Sequence, residues 1–240
     1  MSLKTAITDI LKYLVEWEKV NLNEAQTRQV IILRILAELG FNIWQPAEIS
    51  AEESGSTGNY RPDFVIRLQH DCFIIEAKAL TKNLSTADAE QAINYVNTKG
   101  LRWAILTNGK QWKFFDNDLR GAANQRLAFE FSIQQNTETT VKYFEQLLSP
   151  KIWRQEHAAE QVANNIQLIK LQKKFDNWIS VSYTATPDGL QTAIRNELSV
   201  EEQAFARAHL TQLAEAFNID LSISPSQTQQ TPQNTIIVAP

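Results

Sequence analysis

Two carboxylates and one ammonium group fall close together in the chain: Asp63, Glu76 and Lys78. They sit on two short β-forming stretches, 63–68 (DFVIRL) and 72–78 (CFIIEAK), separated by Gln69-His70-Asp71, which is the pattern of a β-hairpin. A turn centred between His70 and Asp71 puts Asp63 opposite Lys78 and Val65 opposite Glu76. Side chains alternate with period two along a strand, so all three charged groups then share one face at the open end of the hairpin. A register slip of one residue would separate them. Two neighbouring carboxylates repel, and a hard divalent cation removes that repulsion. Mg²⁺ takes oxygen ligands, typically one or two carboxylates completed by waters and substrate phosphate. A lysine beside it can hold a nucleophilic water or neutralise charge building on phosphorus. The competing reading is a strand-end salt bridge among Asp63, Glu76, Arg61 and Lys78, of the exposed and individually weak kind.

The surrounding pattern supplies elements to carry these groups. Residues 3–18 have helical spacing, with Ile7, Ile10, Leu11, Leu14 and Val15 as the apolar stripe. A second helix is expected over about 22–39, with Asn23 as N-cap, Gly40 at the C-terminal glycine position, and Ile31, Ile32, Ile35, Leu36 and Leu39 facing inward. The stretch 51–59 (AEESGSTGN) reads as a loop. After the hairpin, Ser85 and Asp88 have capping-box spacing and open a helix running to about Lys99. Strands are expected at 102–107 (RWAILT), 111–115 (QWKFF) and 127–133 (LAFEFSI), the first two joined at Asn108-Gly109. Helices follow near 140–148, 153–179, 187–197 and 200–217, the last opened by Ser199 and Glu202. The order indicates an α/β fold whose mixed central sheet is flanked by helices, with a helical C-terminal extension. The expected division is a core over 1–138, an extension over 139–220 and a low-complexity polar tail over 221–240.

At this point the motifs resemble a known group. Arg61-Pro62-Asp63, a gap of twelve residues and Glu76-Ala77-Lys78 are similar to the PD-(D/E)xK signature of the restriction-endonuclease-like nuclease superfamily. Within it, the chain most resembles the N-terminal nuclease domain of type I restriction enzyme R subunits and their stand-alone relatives. Glu24 stands on the first core helix, where many members carry a glutamate. Gln91-Ala-Ile-Asn-Tyr95 is similar to the Gln-x-x-x-Tyr element on the helix after the lysine strand, and Leu106-Thr-Asn-Gly-Lys110 to the following strand–turn–strand. The resemblance spans about residues 20–135. It implies a restriction-endonuclease-like fold and metal-dependent hydrolysis of a DNA phosphodiester. It implies that Asp63, Glu76 and the Ala77 carbonyl hold Mg²⁺, with Mn²⁺ as a substitute, while Lys78 orients the attacking water. Glu24 would complete the site, and Gln91 and Tyr95 would contact phosphate or support the lysine. The implied partners are DNA and restriction–modification or helicase subunits.

Composition narrows the classes. In 240 residues, 23 Lys+Arg against 27 Asp+Glu give a net charge of −4, which argues against a broad basic face coating nucleic acid. Lys99, Arg102, Lys110, Lys113, Arg120 and Arg126 could still flank a local channel. Cys72 alone cannot form an internal disulfide and reads as buried apolar filler. The three histidines lack metal-ligand spacing. Trp103, Trp112, Phe114 and Phe115 read as core. No apolar run is long enough for a membrane span, and the first residues read as an amphipathic helix, so a cytoplasmic protein without membrane contact is expected. The chain contains no G-x-x-x-x-G-K-[ST] loop, the mark of the motor in type I R subunits. A non-catalytic DNA-binding or assembly module that kept the fold remains the alternative, with self-association through the C-terminal helices as a further expectation.

Overall fold

The computed structural model describes residues 2–51 and 61–222. Most of the loop expected over 51–59, and the tail beyond residue 222, lie outside the described residues. The chain divides into two compact units, one running to Ile166 and the other starting at Gln167.

The first unit is built on a six-stranded sheet in the order β1 (Ile49–Ala51), β2 (Phe64–Leu68), β3 (Asp71–Ala77), β4 (Trp103–Thr107), β5 (Gln111–Asp116) and β6 (Leu127–Ser132). All neighbours pair antiparallel except β3 and β4, which are parallel. A parallel pair needs a crossover, and helix α4 (Thr86–Lys99) supplies it. The mixed α/β architecture is the one the sequence implies. The short edge strand β1 has no counterpart among the expected elements, because three residues are too few to establish a period.

The two sheet faces have different covers. Val65, Ile74, Ala104, Leu106 and Phe115 pack with Ala89, Ala92, Ile93 and Val96 of α4. On the other face, Trp112 meets Phe144 of α5 (Thr137–Leu147) edge to face, with ring centroids 4.9 Å apart. There too Phe73 packs on Trp153 at the end of α6 (Pro150–Trp153). Trp103, Trp112 and Phe114 are fully buried and Phe115 nearly so, so these aromatics form core. Cys72 is only half-buried, at the margin of the α4 cluster.

Helix α1 (Leu3–Lys19) is capped by the Ser2 hydroxyl, which accepts the Thr5 N–H. Its buried stripe is Leu3, Ile7, Ile10 and Leu14, while Val15 is exposed. The expected stripe was therefore rotated: spacings of four and three track one face, and Val15 lies one step beyond it. The second helix is expected to be regular but is not. It opens at Glu24 with an Asn23–Gln26 capping box, and α2 (Glu24–Thr27) and α3 (Leu33–Leu39) are joined by a π-turn over Arg28–Ile32. There the Leu33 N–H donates to the Arg28 carbonyl five residues back. Gly40 ends the helix in the left-handed region at φ 100°.

Between β4 and β5 the Asn108 side-chain oxygen accepts the N–H groups of Lys110 and Gln111, which fixes the connection. Gly109 there has φ +82°, and a Cβ on it would lie 3.1–3.2 Å from side-chain atoms of Ile31 and Thr27. Only a glycine lets the π-turn helix come this close to the C-terminal ends of β3 and β4.

In the second unit, Leu171, Phe175, Leu190, Ile194, Ala206 and Leu213 form a separate core. It is drawn from the latter part of α7 (Ala158–Val181) with α8 (Pro187–Glu197), α9 (Val200–Ala208) and α10 (Leu210–Ala216). The Ser199–Glu202 capping box that opens α9 is present.

Gly109→Ala and Gly100→Ala separate the two demands on a glycine. Gly100 also has a positive φ, but nothing lies within 4 Å of its added Cβ. Both variants carry the left-handed backbone cost, and only Gly109→Ala also forces Ile31 and Thr27 to shift. Urea unfolding is expected to show Gly109→Ala less stable than Gly100→Ala by about 1 kcal/mol or more. Equal losses would mean that the helix is not held against this turn.

Candidate active site

The hairpin that carries the charged trio is two residues out of the expected register. Phe64 pairs with Ile75 and Leu68 with Asp71, leaving Gln69-His70 as the turn. Asp63, one residue before β2, therefore falls opposite Glu76 and not Lys78, and Val65 pairs with Ile74. Asp71 belongs to the strand because its carboxylate accepts both the Cys72 N–H and the Ala159 N–H at the start of α7. A shift of two preserves the side of the sheet on which every residue lies. Asp63, Glu76 and Lys78 therefore remain on one face, the one covered by α4.

All three are buried, with exposures of 6%, 4% and 7%. Asp63 Oδ2 accepts the Ala77 N–H at 2.6 Å, standing in for a ladder partner at the hairpin's open end. Asp63 Oδ1 forms an ion pair of 2.5 Å with Arg28 Nη1, from the first residue of the π-turn. Glu76 Oε1 accepts from Lys78 Nζ at 2.5 Å. Lys78 Nζ also lies 4.0 Å from Oδ1 of Asp88, a buried residue in the N-terminal turn of α4. Asp88 in turn takes Lys82 Nζ at 2.6 Å on Oδ1 and the Ser85 N–H and hydroxyl on Oδ2. The exposed salt bridge is thereby excluded as a description of this cluster, since each member of the trio is withdrawn from water.

The electrostatics follow from that withdrawal. The Asp63 carboxyl is raised from 3.8 to about 6, first by burial and then by the facing charge of Glu76. The Ala77 N–H opposes the rise, Glu24 adds to it, and Arg28 draws it down. Lys78 is raised as well, which for an amine favours the charged form. Burial works against its charge, but the hydrogen bond and charge of Glu76, with Glu24 and Asp88 behind, hold the ammonium above the ordinary lysine value. Burial also opposes ionisation of Asp88, yet Lys82 and Ser85 keep its carboxylate below the usual value.

Of the other expected site residues, Glu24 is half-buried in the first turn of α2, near enough for its charge to act on both Asp63 and Lys78. Gln91 is exposed on α4, whereas Tyr95 is buried in the α4 cluster with Lys99 over its ring. Two participants were not singled out for chemistry. Arg28 is visible in sequence only as the residue one turn after Glu24, and Asp88 only as half of a capping box. Most of the basic residues expected to flank a channel are engaged elsewhere. Arg102 pairs with Asp116 and Asp118 at the far end of β4, Lys110 with Glu18, Lys113 with Glu130, and Arg126 bonds to Asn117.

Among the described residues, no group of three or more His, Cys, Asp or Glu side chains is placed to hold a metal ion. Two facing carboxylates match the oxygen donors that Mg²⁺ takes in its partly hydrated shell. Asp63, Glu76 and the Ala77 carbonyl are the oxygen donors that a hard divalent cation would take.

An α/β fold with an acid–acid–lysine cluster at one end of a central hairpin is the arrangement expected of a nuclease-like domain. Residues 23–129 match the family model of the type I restriction enzyme R protein N terminus (HSDR_N), which relates this stretch to the nuclease-like part of restriction–modification systems. That interval contains Glu24, Arg28, the whole hairpin, α4 and the β4–β5 connection. No curated protein and no solved structure shows a significant match to the chain. No helix among the described residues is long and apolar enough to cross a membrane.

The Asp63 shift has a signed consequence for the metal-free protein. A carboxyl whose folded pKa lies above its unfolded value contributes most to stability below about 3.8, and that contribution is lost as pH rises through about 6. The full loss is on the order of 3 kcal/mol. Thermal unfolding in EDTA is expected to show this decline between pH 4 and 7, and Asp63→Asn should flatten it. A decline of the same size in Asp63→Asn would assign it to other groups.

Proposed function

We propose that this chain is a Mg²⁺-dependent DNA endonuclease of the restriction–modification type. The observation that carries the reading is the buried pair of facing carboxylates, Asp63 and Glu76, with the Lys78 ammonium against Glu76. Support comes from the family match, which encloses the whole cluster. A carboxylate pair with an ammonium beside it is costly to bury, and a site that handles phosphate chemistry gives it a reason to exist.

Asp63, Glu76 and the Ala77 carbonyl would hold Mg²⁺ or Mn²⁺. When bound, the ion supplies polarisation of a phosphoryl oxygen and a lowered pKa for a coordinated water. Lys78 stays protonated and directs its ammonium toward the attacking water and the charge gathering on phosphorus. Asp88 and Glu76 fix that ammonium from two sides. Glu24 adds negative charge that favours the cation. Gln91, exposed on α4, is available to a substrate phosphate, and Tyr95 supports the same helix from within the core. DNA is the proposed substrate, and restriction–modification or helicase subunits are the proposed partners. The observation that favours a non-catalytic DNA-binding module instead is that Arg28 and Lys78 already neutralise both carboxylates.

Calorimetric titration with Mn²⁺ or Mg²⁺, followed by incubation with supercoiled plasmid, separates the two readings. Metal binding should be lost in Asp63→Ala, and metal-dependent nicking should fall at least about a hundredfold in Lys78→Met. DNA binding without any cleavage, unchanged in both variants, would establish the module in place of the nuclease.

A further inference from the structure

Arg28 is placed directly on Asp63, as Lys78 is on Glu76. Its side chain is four-fifths buried, and the guanidinium contacts Asp63 Oδ1 at 2.5 Å. The second carboxylate oxygen is committed to the Ala77 N–H, a bond that also closes the hairpin. A divalent cation approaching Asp63 therefore meets the oxygen that Arg28 already holds. Arg28 also begins the π-turn, an irregularity that changes the direction of a side chain relative to a straight helix and recurs at functional sites. Thr27 and Ile31, on either side of it in the same segment, press on Gly109, so the backbone that presents Arg28 is fixed from the sheet side.

From this geometry we infer that Arg28 is a resident counter-ion for Asp63, displaced when a divalent cation takes that carboxylate and then turned to a phosphate of the nucleic-acid backbone. Planar guanidinium suits either partner, because carboxylate and phosphate present similar pairs of oxygens. The inference rests on the metal-dependent reading above. It adds to it a switch: in the free protein Arg28 neutralises the site and weakens metal binding, and in the loaded protein the same group joins the substrate. Metal and nucleic acid then assist one another, because each removes the competitor of the other, and such coupling is reciprocal.

Two measurements test this, and neither depends on cleavage. The first is Mn²⁺ titration calorimetry at pH 8 without DNA, comparing wild type, Arg28→Gln, Arg28→Lys and Asp63→Asn. Arg28→Gln is expected to bind Mn²⁺ on the order of tenfold more tightly, with Arg28→Lys close to wild type. Unchanged or weaker binding in Arg28→Gln overturns the inference, while loss of binding in Asp63→Asn alone leaves the metal site standing. No Mn²⁺ binding by wild type or Arg28→Gln overturns both. The second is binding of a short DNA duplex in EDTA by wild type, Asp63→Asn, Arg28→Gln and the double variant. Asp63→Asn should tighten binding by freeing Arg28, and adding Arg28→Gln should remove that gain. A gain that persists in the double variant comes only from the lost negative charge, and it overturns the phosphate role.

Discussion

The bond from the Ala77 N–H to Asp63 Oδ2 governs the rest of the site. It takes a backbone donor at the point where the β2–β3 ladder ends and gives it to a side chain. The hairpin register and the placement of a charge are thereby settled together. With Phe64 opposite Ile75, Asp63 comes to rest facing Glu76, and neither carboxylate has water to screen it. The protein responds with cations rather than by separating the charges: Arg28 on Asp63, Lys78 on Glu76, and Lys82 on Asp88 behind them. Pairs of this kind rarely return the full cost of desolvating their members, so a cluster at this depth is better explained by what it binds than by what it stabilises.

Much of the first unit serves that arrangement. The parallel β3–β4 pair places Lys78 beside Thr107, whose carbonyl accepts the Lys78 N–H at 2.8 Å. The crossover helix α4 returns with its N-terminal turn at the same sheet end and brings Asp88 to Lys78. Asn108 fastens the β4–β5 connection to the segment before α4 by donating to the Lys82 carbonyl. Gly109 then leaves room for the helix that delivers Glu24 and Arg28. Three separate stretches of chain thus converge on one hairpin end, and each is held by backbone geometry as well as by charge.

How far the sequence reveals this differs from element to element. Strands β2 to β6, α4 with its Ser85–Asp88 box, and the helix ends at Asn23 and Gly40 follow from local patterns, since each depends on residues within a few positions of one another. The common face of Glu76 and Lys78 follows from period two, and Asp63 stays on it because the register error is two residues and not one. The register itself does not follow, because Asp71 is drawn into the strand by Ala159, 88 residues away. Nor does the contact of Arg28 with Asp63, 35 residues apart, or the π-turn that presents it. The exposure of Val15 and the burial of Tyr95 likewise depend on which neighbours arrive, not on the spacing of apolar residues.

The central claim is that Asp63 and Glu76 face one another in order to share a cation. Anomalous diffraction from crystals grown with Mn²⁺ tests it most directly. A single strong peak in contact with both carboxylates is expected, with Arg28 turned away from Asp63. A map with no peak there, and with the Arg28–Asp63 and Lys78–Glu76 pairs intact, would contradict it and leave a self-neutralised cluster that binds no metal.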